Sequence, residues 1–135
     1  MTIAFIILLM PLIAAISILL FTRKKATLSA YVSVSSAAAC FLLTLGLISG
    51  SGEAGSFTWL RVGDLELRIA LEITGLTRGM ILVVTVVGLL VHIFSLGYMK
   101  DDAAKARYFA GLSLFMFSMT GIVLADNFAM MFIFW

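Results

Sequence analysis

Hydrophobic residues run along this chain in long blocks, and its sixteen charged residues are confined to the gaps between them. The charges fall at Arg23 to Lys25, Glu53 to Arg78, Lys100 to Arg107, and Asp126. The charge-free stretches are therefore 1–22, 26–52, 79–99, 108–125 and 127–135. A helix needs about 20 residues to cross a hydrocarbon core about 30 Å thick. The first four stretches meet or nearly meet that length and predict spans over about 3–22, 27–48, 79–99 and 108–125. Residues 127–135 are too short to cross and read as the incomplete start of a fifth span. FAMMFIFW at 128–135 stops without a cap or a polar exit. A terminus inside hydrocarbon would leave carbonyls unpaired, so the pattern predicts the N-terminal part of a longer protein. The fold class is all-α integral membrane: a bundle of four transmembrane helices plus the start of a fifth, in a single membrane domain over 1–135.

The segment 49–78 has a different rhythm. It opens on Ser49-Gly50-Ser51-Gly52, and then Leu65, Leu67, Ile69, Leu71 and Ile73 alternate with Glu66, Arg68, Ala70 and Glu72. A period of two is a strand signal. Phe57 to Val62 is a second strand candidate, with Gly63-Asp64 between the two as turn chemistry. The expectation is a short outward-facing β-hairpin, with Trp59 at the membrane interface, where tryptophan is enriched.

Composition agrees with a membrane location. Hydrophobic residues make up 63% and charged residues 12%, against roughly 45–50% and about 25% in soluble chains. A net charge of +2 gives no basic stripe for nucleic acid. The first apolar block is not a secretory signal, because its basic cluster follows the core instead of preceding it. Orientation follows from lysine and arginine in the short loops. Arg23, Lys24 and Lys25 occupy the first loop, and Lys100, Lys105 and Arg107 the third. Both loops are therefore expected on the cytoplasmic side, with the N-terminus and loop 49–78 outside.

Few residues offer chemistry. There is no phosphate loop, dinucleotide fingerprint or histidine pair. The lone His92 lies in the third span, where an ionisable group marks a possible proton path. The competing reading is a neutral imidazole hydrogen-bonded between helices. Asp126, with Asn127, breaks two apolar runs and is either the N-cap of the following helix or the mouth of an ion path. Cys40 has no partner for a disulfide or a metal site and reads as a buried, inert thiol. Pro11 sits mid-span, where neighbouring groups can satisfy the carbonyl it frees. Ser33, Ser36, Ala37, Gly88, Gly111, Ser113, Ser118 and Gly121 suit close helix packing. The eight methionines read as adaptable packing. No catalytic, cofactor, metal or soluble-ligand site is expected in this chain.

Several strings resemble the N-terminal part of a known family. They are GLTRGM at 75–80, LVHIFSLGYM at 90–99, ARYFAGLSLFMFSM at 106–119 and LADNFAMMFIFW at 124–135. Pro11, the three basic residues at 23–25, and FTWLRVGD at 57–64 also fall where that family has them. The family is the antiporter-like subunit L, or chain 5, of NADH–quinone oxidoreductase, respiratory complex I. The resemblance implies a non-redox, proton-translocating subunit in the bacterial inner membrane, packed in lipid against other membrane-arm subunits. It places NADH, flavin, iron–sulfur clusters and quinone in those other subunits. It also implies a conducting glutamate immediately after Trp135 and lysines further on, none of which this chain contains. His92 matches a histidine common in bacterial members. Thr74 stands where the family usually has an aspartate, so no role carries over to that position. The large subunits of multisubunit sodium/proton antiporters are similar, but LGYM at 96–99 and ARYFAGLS at 106–113 favour complex I. A small membrane scaffold or assembly protein is the reading from a different class.

Overall fold

A computed structural model of the chain describes residues 2–22, 24–49, 55–62, 65–71 and 73–135. Helix α1 (Thr2–Ser17) continues into a π-helical turn at Ile18–Thr22, and α2 spans Ala26–Ser49. Strands β1 (Gly55–Val62) and β2 (Leu65–Leu71) follow, then α3 (Gly75–Tyr98), α4 (Lys105–Leu124) and the short α5 (Phe128–Phe134). Among the described residues four helices are long and apolar enough to cross a membrane: Ile3–Thr22, Ala26–Ser49, Gly75–Tyr98 and Lys105–Leu124. Their outward surface suits lipid, with Leu20, Phe21 and Phe94 all more than two-thirds exposed.

Two helices start earlier than charge alone suggests. α3 begins at Gly75 instead of 79, because Thr74 is extended and its hydroxyl accepts the Thr77 N–H at 3.1 Å. That cap satisfies a donor the first turn would otherwise leave open, and it draws Arg78 into the helix. α4 begins at Lys105 instead of 108, after the Asp102 carboxylate accepts the Ala104 N–H. β1 and β2 pair antiparallel, with Phe57 opposite Ile69 and Val62 opposite Leu65. The register shifts between Thr58 and Leu60, leaving Trp59 as the extra residue of a bulge. β2 stops at Leu71, so Ile73 lies beyond the strand. The Gly63-Asp64 turn and the setting of the Trp59 side chain lie outside the described residues.

In the bundle, α2 and α4 each pack against both α1 and α3, which flank them on opposite sides. The α2–α4 contact is close because small residues line it. Ser33 and Ser113 hydroxyls meet at 2.6 Å, and Ser33 also reaches the Phe109 carbonyl at 3.2 Å. Gly111, by contrast, has open space where a side chain would begin, so it does not mark a helix approach.

The proline in α1 is compensated across a helix boundary. A proline at position 11 cannot donate to the carbonyl of Ile7, four residues back. The Cys40 thiol of α2 points at that carbonyl from 3.6 Å. The buried thiol is therefore a structural hydrogen-bond donor. At the other end of α1, Ser29 donates to the Thr22 carbonyl at 2.7 Å and closes the π turn onto α2.

Two apolar clusters define the ends of the bundle. Ile18, Ala30, Met99, Ala106 and Phe109 gather at one end. Ala4, Leu47, Ile81, Leu124 and Met130 gather at the other. The first cluster brings the α1–α2 and α3–α4 connections to the same end, so the two basic loops share one side of the bundle.

Candidate functional site

The buried polar groups form a seam along α3 and its neighbours. A helix places residues seven apart on one face, so Thr85 and His92 of α3, with Met99 at its C-cap, turn toward the bundle together. His92 is only 1% exposed. Its Nδ1 lies 2.7 Å from the Gly88 carbonyl one turn back. A carbonyl only accepts, so Nδ1 carries the hydrogen and Nε2 is the bare lone pair. That bond stays within α3. The interhelical hydrogen bond expected of a packing histidine is therefore replaced by one to its own backbone. Nε2 is buried and has no partner; among the described residues the same holds only for Ser36 Oγ and Arg78 Nε.

Around His92 the hydroxyls are occupied. Ser95 donates to the Val91 carbonyl at 2.7 Å and meets the Tyr108 hydroxyl of α4 at 3.0 Å. Thr85 and Thr120, both fully buried, bond back to the Ile81 and Met116 carbonyls of their own helices. Such back-bonding is how a threonine survives inside an apolar helix. It also breaks any continuous hydroxyl chain. Thr44, Thr85, Thr120 and the Tyr108–Ser95 pair escaped the sequence reading. The signal for the threonines was present, as hydroxyls at helical spacing within otherwise apolar spans.

Asp126 is exposed, in the turn between α4 and α5. It does not cap α5. Asn127 does, with an extended backbone and its side-chain oxygen accepting the Met130 N–H at 2.8 Å. The helix starts at Phe128, one residue too late for Asp126 to hold the cap position. His92 and Asp126 are not brought together. Met116 borders the same cavity as His92, and the eight residues from there to the end of α4 at Leu124, before the turn that holds Asp126, rise about 12 Å at 1.5 Å per residue. Among the described residues no three His, Cys, Asp or Glu side chains cluster as a metal site.

Four spans, a polar seam and an apolar exterior define a multi-pass helical membrane protein. The family model for NADH–ubiquinone oxidoreductase (complex I), chain 5 N-terminus, matches residues 59–109. The chain is 34% identical to NADH-quinone oxidoreductase subunit L of Buchnera aphidicola, an alignment covering 100% of this chain and 23% of that protein. It is 36% identical to NADH-ubiquinone oxidoreductase chain 5 of Dictyostelium discoideum, over 95% of this chain and 20% of that one. It is 38% identical to F(420)H(2) dehydrogenase subunit L of Methanosarcina mazei, over 98% and 20%. The chain spans about a fifth of the length of the curated relatives it matches. By sequence the chain is similar to the N-terminal part of NADH-quinone oxidoreductase subunit L and chain 5 proteins.

Proposed function

We propose that the chain supplies the first helices of a proton-translocating, non-redox membrane subunit of an NADH:quinone oxidoreductase. The observation that carries this reading is similarity over the whole chain, 34% identical in each case, to proteins named NADH-quinone oxidoreductase subunit L. One relative is named for F(420)H(2) instead of NADH and is no less similar. That supports a role indifferent to the electron donor, with NADH, flavin, iron–sulfur clusters and quinone bound by other subunits. Those membrane-arm subunits and lipid are the proposed partners, and the bacterial inner membrane is the proposed location.

The proposed orientation puts Arg23 to Lys25 and Lys100 to Arg107 in the cytoplasm, and the N-terminus and the β1–β2 hairpin outside. Two basic loops at one end of the bundle support it, because positively charged short loops are retained inside. Cysteines introduced at Thr27 and Ser51 are expected to label from opposite sides of the membrane. Labelling of both from one side would sink this topology.

In this reading His92 helps pack the seam and does not conduct. Its one hydrogen bond is intrahelical, and the hydroxyls near it are occupied by their own backbones. Glutamine can make the same bond back to Gly88. Even a hydrogen bond between helices in such a bundle averages only about 0.6 kcal/mol, and this one, within α3, does not tie helices together, so its loss would be tolerated. In membranes carrying His92→Gln in the complete subunit, protons translocated per NADH oxidised are expected to stay close to the unaltered value. A clear fall in that ratio with normal assembly would overturn the packing role and make His92 a conducting group.

A further inference from the structure

Between α3 and α4 lies a cavity of about 190 Å³. His92 borders it from α3, and Met116 and Met119 border it from α4. The Nδ1 bond to Gly88 fixes the ring and leaves the Nε2 lone pair buried and unmet. Met116 sits on the same side of the seam as that bond: its sulfur lies 3.4 Å from where a side chain on Gly88 would begin. Met116 and Met119, three residues apart, share one face of their helix.

His92 borders the cavity while exposing almost none of its surface, and its buried Nε2 lacks a hydrogen-bond donor. Thioether sulfur has no hydrogen to donate. A water molecule needs two to four polar partners, and the other lining residues are Val84, Val87, Gly88, Val91, Leu112 and Phe115. A metal-binding imidazole almost always gives its other N–H to a carboxylate or a backbone carbonyl, which is the arrangement His92 already has. One imidazole and two thioethers form a neutral, soft donor set, which selects soft ions of the Cu(I) kind over hard ones. A divalent ion would carry two uncompensated charges into the bundle, where no carboxylate or thiolate borders the cavity. A monovalent ion leaves one charge, spread over polarisable sulfur.

We propose that His92 Nε2 with the sulfurs of Met116 and Met119 forms a binding site for a soft monovalent metal ion, Cu(I) or its redox-inert analogue Ag(I). The site is independent of the transport role above and involves no redox step. Rotation of the methionine side chains, which are unbranched and adaptable, would bring their sulfurs to Nε2.

The test titrates Ag(I) into the purified 135-residue chain in detergent micelles, in a Cys40→Ala background so that the thiol does not compete. Helix content by circular dichroism accompanies each variant. The expected result is one Ag(I) per chain, with affinity falling at least tenfold in His92→Gln and in Met116→Leu. Met131→Leu, which removes a sulfur outside the cavity, is expected to leave affinity unchanged. Methionine-to-leucine changes conserve volume and are well tolerated, so a folded Met116→Leu protein is anticipated. Absence of stoichiometric Ag(I) binding would overturn the proposal. So would affinity that is indifferent to Met116→Leu in a folded variant, or that falls equally in Met131→Leu.

Discussion

Replacing Phe109 with alanine is expected to destabilise the bundle by about 2–3 kcal/mol. Phe109 is fully buried among Ile18, Ala30, Met99 and Ala106, where the π turn, α2 and α4 meet. In a soluble protein such a change loses both transfer energy and cavity energy. In a membrane the side chain leaves the protein for lipid tails that are themselves apolar, so the transfer part largely vanishes. The cavity part remains. At about 24 cal/mol per Å³, the loss of roughly 100 Å³ of side chain gives the stated size. The measurement is unfolding in mixed micelles, read by circular dichroism. Phe115→Ala is the comparison, because Phe115 is 61% exposed toward the outside of the bundle. It is expected to stay within about 0.5 kcal/mol of the unaltered chain. Equal losses at both positions would show that the end cluster is not what holds α1, α2 and α4 together.

Gly121→Ala is expected to cost about 1–3 kcal/mol, the usual range for overpacking. The ring of Phe134 from α5 lies so close to Gly121 that any Cβ would overlap it. The same ring stands edge-on to Phe117, with centroids 5.2 Å apart. A methyl group at position 121 must therefore push Phe134 away from both α4 residues at once. Phe134→Ala makes room for that methyl, so the double variant is expected to be more stable than the sum of the two single losses predicts. Contacting residues show such coupling, and distant ones add. Simple additivity of the two changes would mean that α5 does not pack on α4 at this glycine.

Several site details were invisible in the sequence because they depend on partners far away in the chain. Pro11 and Cys40 could each be read singly, as a tolerated proline and an inert thiol. That the thiol faces the carbonyl the proline frees needed α1 and α2 side by side. His92 was identifiable as the one histidine, inside a span, yet its hydrogen bond turned out to be with Gly88 of its own helix. Ser33 and Ser113 were read as small packing residues, and they also bond to each other. The cap on α5 shifted from Asp126 to Asn127, because one residue of helix register decides which side chain reaches the open N–H groups.

What the sequence alone determined was the number of long spans, their approximate limits and the membrane environment. Hydrocarbon offers no hydrogen bonds, so an apolar segment of sufficient length must satisfy its backbone internally as a helix. That is a local requirement, legible in the spacing of charges. The clustering of basic residues in the first and third connections was equally legible, and four antiparallel spans can only bring those connections to one end. Tertiary structure alone decided which helices touch, with α2 and α4 central and α1 and α3 on their flanks. It also decided that Phe134 fills the space over Gly121 and that His92 shares a cavity with two methionines. Lipid surrounds apolar side chains as well as protein does, so helix association rests on shape and on a few hydrogen bonds. Neither is written in the hydropathy of any single segment.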